Sequence, residues 1–298
     1  MTRILVTGGA GFIGHHVVKR LVDEGDDVVV LDNLARGSFE RPELAGATLI
    51  CGDIRDPRAC ARSVEGCSAV IHLAAQSNVM GSQSDPRRTF TTNVDGTWEL
   101  AQAARTEGAG HFIFASSREV YGEPQRLPVR ECDPLRPKNL YGATKAAAEA
   151  LLSALPAGSP AVSVARFTNV IGRGDSGRVV PTWLEAVAGG RPLTLFGGDQ
   201  ELDFVPVATS VEAIVRILRR GPIRGPVNVG SGQRTSLRTL AAAVMAIAGT
   251  GVPIEVAPVR HVEVCRFQAD VRRMRELLGV DPPEHPLDVL ASLVGPGT

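Results

Sequence analysis

The sequence predicts an α/β fold, a doubly wound parallel sheet carrying a smaller C-terminal α/β lobe. Three observations lead there. Short apolar runs alternate with helix-length segments through the first half of the chain. The first run passes through closely spaced glycines directly into a helix. Beyond Arg166 the elements shorten, and glycine and proline become frequent (GRGDSG, GGRP, FGGDQ, RGPIRGP).

Strands are expected at Arg3–Thr7, Asp27–Leu31, Thr48–Cys51, Ala69–Leu73 and His111–Ala115. Each is nearly all apolar, which suits a parallel sheet covered on both faces. Helices are expected at Phe12–Glu24, Pro57–Val64, Thr89–Thr106 and Tyr141–Leu155, and in the second lobe at Ser210–Arg220 and Leu237–Ala248. A boundary near 165 divides the 298 residues into 1–165 and 166–298, with some later segments returning to the first core. No Ser/Gly linker separates the lobes, so they should pack against each other.

Composition removes several functions. The chain has 32 Lys+Arg against 32 Asp+Glu, so it lacks the basic excess of a nucleic-acid or membrane-surface binder. No apolar run approaches the roughly 18 residues of a membrane span. The five cysteines form no CxxC pair and no zinc spacing, which predicts reduced thiols, no metal and a cytoplasmic protein.

The glycine segment reads Thr7-Gly8-Gly9-Ala10-Gly11-Phe12-Ile13-Gly14. Gly8 allows a tight turn, Gly11 lets backbone approach a pyrophosphate, and Gly14 permits close helix–strand packing. The helix N-terminus at Phe12 and Ile13 then offers free N–H groups to phosphate. Asp32 closes the second strand, followed by Asn33; its carboxylate would accept the adenosine ribose hydroxyls and favour NAD over NADP. Arg36 nearby points the other way. Asp53 and Ile54 follow the third strand, and Leu73, Ala74 and Ala75 follow the fourth; these are candidates for the same groove, a Rossmann dinucleotide site.

The fifth strand runs into Ser116-Ser117-Arg118-Glu119-Val120-Tyr121, polar residues at the sheet edge where ligands bind in open α/β folds. Tyr141 and Lys145 open a later helix and, four residues apart, project from one face. A free phenol has a pKa of ~10. A neighbouring ammonium stabilises the phenolate and lets it exchange a proton near neutrality, with the Ser117 hydroxyl assisting.

Taken in order, TGGAGFIG, LDN, GDI, HLAAQ, NVDGT, SSREVYGEP, YGATK, ARFTNVIG, PLTLFG and NVGSG resemble the extended short-chain dehydrogenase/reductase family. The likeness is to its nucleotide-sugar epimerases and dehydratases, with the UDP-glucose 4-epimerase-like members nearest. It implies retained NAD, a nucleoside-diphosphate sugar in the second lobe, and a homodimer through Thr89–Thr106 and Tyr141–Leu155. It further implies Tyr141 as base, Ser117 as the hydroxyl beside it, and Lys145 as its electrostatic partner and ligand of the cofactor ribose, so that Tyr141 and Lys145 also border the cofactor. Asn169 would contact the substrate phosphates, Leu195 and Phe196 would border the nucleobase, and Arg260 would clamp the diphosphate. Val180 and Arg118 complete the implied substrate contacts.

Two departures leave the reaction open. Dehydratases of the family place an Asp-Glu pair where this chain has Arg118-Glu119, and an arginine cannot protonate a leaving hydroxyl. Glu119 as base of a different elimination or a decarboxylation stays an alternative to 4-epimerisation, as does a non-catalytic NAD binder. The family also reads Arg, Tyr and Asp where this chain has Leu202, Pro206 and Thr209. Either Arg173, Arg178 or Arg266 makes up for Leu202, or the substrate differs.

Overall fold

The computed structural model describes residues 2–294. Its centre is a parallel sheet of seven strands. Six are β1 (Arg3–Thr7), β2 (Asp27–Asp32), β3 (Thr48–Cys51), β4 (Ala69–His72), β5 (His111–Ser117) and β6 (Ala161–Phe167). The order is β3-β2-β1-β4-β5-β6, closed by Val227–Val229 beside β6. The order reverses between β1 and β4, and a crevice opens beyond their carboxyl ends.

Alternate residues of the strands feed two cores. Ile4, Val6, Val28, Val30 and Ile113 pack against the helices Phe12–Asp23 and Val207–Arg220. Leu5, Val29, Leu31, Phe112 and Phe114 pack against Pro57–Val64, Gly96–Thr106 and Leu140–Ser153. Both faces are therefore apolar, which is why these strands read as continuous runs. Helix Val207–Arg220 and strand Val227–Val229 come from the C-terminal part of the chain and complete the first core. The rest of that part forms a smaller core around Trp183, Leu193, Leu195, Phe204 and Leu240.

Beyond shifts of one to three residues at element ends, the departures from expectation concern β5, β6 and the helix after residue 86. β6 reads AVSVARF, and Ser163 and Arg166 break its apolar pattern. Both are buried with partners: the Ser163 hydroxyl bonds His111 Nε2 at 2.9 Å and accepts from Ile223 N at 2.8 Å, and Arg166 pairs with Glu149 at 2.6 Å. β5 extends two residues further, to Ser117. The helix expected over 89–106 begins at Pro86 and is interrupted by a π turn at Thr91–Asp95 before resuming at Gly96. Such insertions frequently mark functional positions.

Asp203 fastens three segments of the C-terminal part of the chain together, at Thr168, at Ser231 and Gly232, and at Ala269. Fully buried, its carboxylate accepts from Thr168 Oγ1 (3.2 Å), Ser231 N and Oγ (2.8 Å each), Gly232 N (3.0 Å) and Ala269 N (3.0 Å). Asp203→Ala strands these donors, and each buried unsatisfied group costs ~1–3 kcal/mol. We expect a loss of at least about 3 kcal/mol in denaturant unfolding; a change below about 1 kcal/mol would show that the cluster is not needed.

Candidate active site

A cleft of about 870 Å³ lies between the lobes at the carboxyl edge of the sheet. Gly8 has φ +70°, and a Cβ there would come within 2.7 Å of Ala74 N. A Cβ on Gly14 would lie 2.1 Å from the Gly8 carbonyl oxygen, so only glycine lets the helix approach β1 this closely. Gly11 is the N-cap of Phe12–Asp23, and no side chain caps that helix. Its first N–H groups thus face the cleft beside Gly11, Phe12, Ile13 and Gly14, and fit a pyrophosphate.

Among the described residues the buried Asp32 carboxylate accepts only backbone N–H groups, from Ala10 (3.0 Å) and Leu34 (2.8 Å). Burial raises its pKa, and these two hydrogen bonds oppose the rise. An acceptor without a cation beside it suits ribose hydroxyls and repels a 2′-phosphate. Arg36 is turned elsewhere, donating to the Ser176 carbonyl (2.8 Å) and the Ser77 hydroxyl (3.3 Å). The residues present therefore fit NAD.

Other expected cofactor contacts divide. Asn33, Ile54, Leu73, Ala74 and Ala75 line the cleft. Asp53 does not: Arg55 and Asn33 hold its carboxylate, the former keeping it well below the usual carboxylate range. Its contribution is to fix Asn33.

At the other end of the cleft Ser117 closes β5, facing Tyr141 and Lys145 on the helix Leu140–Ser153. Asn139 sets the start of that helix, accepting from Gly142 N at 2.9 Å. Burial raises the Tyr141 pKa; the Arg178 guanidinium opposes this most strongly, followed by the Ser117 hydroxyl, with Arg118 also opposing it and Glu119 acting with burial. Lys145 is almost wholly buried, its Nζ 4.3 Å from the centre of the Phe114 ring, and burial pulls it down to about 7.

Glu119 is engaged at both oxygens, by Arg118 Nη2 (2.9 Å) and Asn139 Nδ2 (2.6 Å). Arg118 also donates to Asn169 Oδ1 (3.3 Å), while Asn169 Nδ2 donates to the Asp203 carbonyl (2.9 Å). Arg260 stacks on Phe196, 3.4 Å from its centre, and pairs with Glu263. Phe196 and Val180 line the cleft. Leu195 does not, because strand alternation turns its side chain into the fully buried core of the second lobe.

Some residues went unassigned in the sequence. From the π turn, Asn93 accepts from Gln76 N (2.8 Å) and donates to the Gln76 carbonyl (3.1 Å) and Thr144 Oγ1 (3.0 Å). It ties the loop after β4 to the helix bearing Tyr141. Its only sequence signal was membership of NVDGT. His72 is wedged between Thr7 (2.7 Å) and Thr97 (3.0 Å), and burial lowers its pKa.

The sequence profile of the NAD dependent epimerase/dehydratase family matches residues 4–230. The chain belongs to that family. A similar family member is the UDP-glucose 4-epimerase of Streptomyces lividans, 34% identical over 311 residues, spanning 97% of this chain and 94% of that protein. The structure of UDP-glucose 4-epimerase with UDP-glucose from Thermotoga maritima superposes with a TM-score of 0.92 at 31% identity, covering 97% of this chain and 96% of that one. MoeE5 in complex with UDP-glucuronic acid and NAD superposes with a TM-score of 0.90 at 30% identity, covering 98% and 97%.

Proposed function

We propose that the protein is an NAD-dependent nucleotide-sugar 4-epimerase, with residues 1–165 holding NAD and residues 166–298 the substrate. The observation that carries this is the convergence of Ser117, Tyr141 and Lys145 in one cleft with the glycine cradle and Asp32. The similarity to UDP-glucose 4-epimerases supports it.

The helix N-terminus and Asp32 hold NAD, which when bound supplies a reversible acceptor for the hydrogen on C4. Tyr141 Oη takes the proton of the C4 hydroxyl, and Ser117 hydrogen-bonds the same oxygen. After the 4-keto sugar has turned, Tyr141 returns the proton. Arg178 and Lys145 stabilise the phenolate between those events. Glu119, tied to Arg118 and Asn139, positions the Ser117 loop against the Tyr141 helix, which disfavours it as an elimination base.

We further propose a homodimer through the helices within 86–106 and 140–153. Phe90, Trp98 and Leu151 remain exposed on them, and a second copy would bury these side chains. A cytoplasmic setting is supported by five cysteines that stay unpaired. Among the described residues no helix is long and apolar enough to cross a membrane.

The test offers UDP-, dTDP-, GDP-, CDP- and ADP-sugars in deuterated water and follows products by NMR. The expected result is a C4 epimer free of carbon-bound deuterium. Solvent deuterium on carbon, or loss of water or carbon dioxide, would assign a lyase instead. Bound NAD without any turnover would leave a binding protein.

A further inference from the structure

The family arginine is missing at 202, where Leu202 lines the cleft without a charge. Of the three arginines considered as replacements, Arg173 and Arg266 do not line the cleft. Arg178 is held on the cofactor side, 5.4 Å from the centre of the Phe12 ring and paired with Asp175 at 3.2 Å.

Arg118 is placed differently. Its side chain is only 8% exposed, yet it lines the cleft. Nη2 is used twice, on Glu119 Oε1 and Asn169 Oδ1, whereas Nη1 is buried with no acceptor among the described residues. The guanidinium lies 5.5 Å from the centre of the Phe267 ring. Phe267 N in turn donates to the Glu201 carbonyl at 2.9 Å, one residue before Leu202. Through Phe267, the Arg118 guanidinium thus lies near the strand Glu201–Leu202.

We propose that Arg118 is a substrate-binding residue whose Nη1 donates to an oxygen of the nucleotide-sugar diphosphate, taking the place of the arginine absent at 202. This rests on the nucleotide-sugar reading above. A buried, charged donor left without an acceptor is costly and rare in native proteins. A phosphate oxygen satisfies it with a charge-assisted bond that a sugar hydroxyl cannot equal. Because Arg118 follows Ser117 directly and contacts Asn169, it grips the sugar end of the diphosphate, while Arg260 on Phe196 serves the nucleoside end. The anchored phosphate then forms the pivot about which the 4-keto sugar turns.

Calorimetry on the NAD-loaded protein tests this with UDP, dTDP, GDP, CDP and ADP as probes, and with UDP-glucuronic acid beside UDP. The variants are Arg118→Met, Arg118→Met with Glu119→Gln so that no charge is stranded, and Arg118→Ser with Leu202→Arg. For the diphosphate bound best by the unsubstituted protein, both methionine variants should bind about 10- to 100-fold more weakly. Moving the arginine to 202 should recover most of that loss. Retained NAD and an unchanged melting temperature identify the folded variants.

Unchanged affinity in the folded methionine variants would overturn the proposal. So would a loss confined to UDP-glucuronic acid with UDP itself unaffected, which would assign Arg118 to a sugar carboxylate. If the unsubstituted protein bound none of the five diphosphates, the nucleotide-sugar reading would fall as well.

Discussion

Tyr141→Phe is expected to lower turnover by about 10²- to 10⁴-fold while NAD content and thermal unfolding stay unchanged. The substitution deletes one hydroxyl and leaves the ring in place, so the loss isolates proton exchange at Oη. No other phenol can take over. The chain has two tyrosines, and Tyr121 is buried with its hydroxyl donating to Asn228 Oδ1 (2.6 Å) and accepting from Arg166 Nη1 (2.9 Å). Burial pushes its pKa up, away from proton exchange. Steady-state kinetics on the sugar identified by NMR reads the effect directly. Turnover above a tenth of the unsubstituted value would mean that another group moves the proton.

Most of the sheet was legible because its two buried faces demand near-continuous apolar strands, as in β1, β2, β4 and β5; β3 reads the same way although it is a largely exposed edge strand. β6 was not, since Ser163 and Arg166 are satisfied by partners on distant segments, His111 and Ile223 for one and Glu149 for the other. The cofactor end of the site was legible for a different reason: its glycines answer to steric limits that act locally, as at Gly8 and Gly14. The substrate end depends on which side chains meet across the lobes. Leu195 and Phe196 are neighbours in sequence, and only strand alternation decides which one faces the cleft. The partnering of Arg118 with Asn169, 51 residues away, likewise has no local sign.

Lys145→Met is expected to abolish turnover and, in protein stripped of nucleotide, to raise thermal stability in a pH-dependent way. Burial draws Lys145 from 10.5 down to about 7 in the folded chain. Above pH 10.5 neither state holds the proton, and the lysine adds no penalty. Between 10.5 and about 7 the unfolded chain binds a proton that the native chain refuses, so stability falls as the pH falls. Below about 7 the native chain must also carry the buried charge, and the penalty reaches its full size of roughly 5 kcal/mol at 1.36 kcal/mol per pKa unit. Methionine fills the same space over Phe114 without a charge. The gain in melting temperature should therefore be greatest at pH 6 and shrink steadily towards pH 10, the range where differential scanning fluorimetry on both proteins can follow it. A gain that did not change with pH would mean that the folded chain compensates the buried charge and leaves the lysine pKa where it is in the unfolded chain. A buried ammonium kept at this cost, one turn of helix from Tyr141, is what the proposed mechanism requires of Lys145, since packing alone would favour its removal.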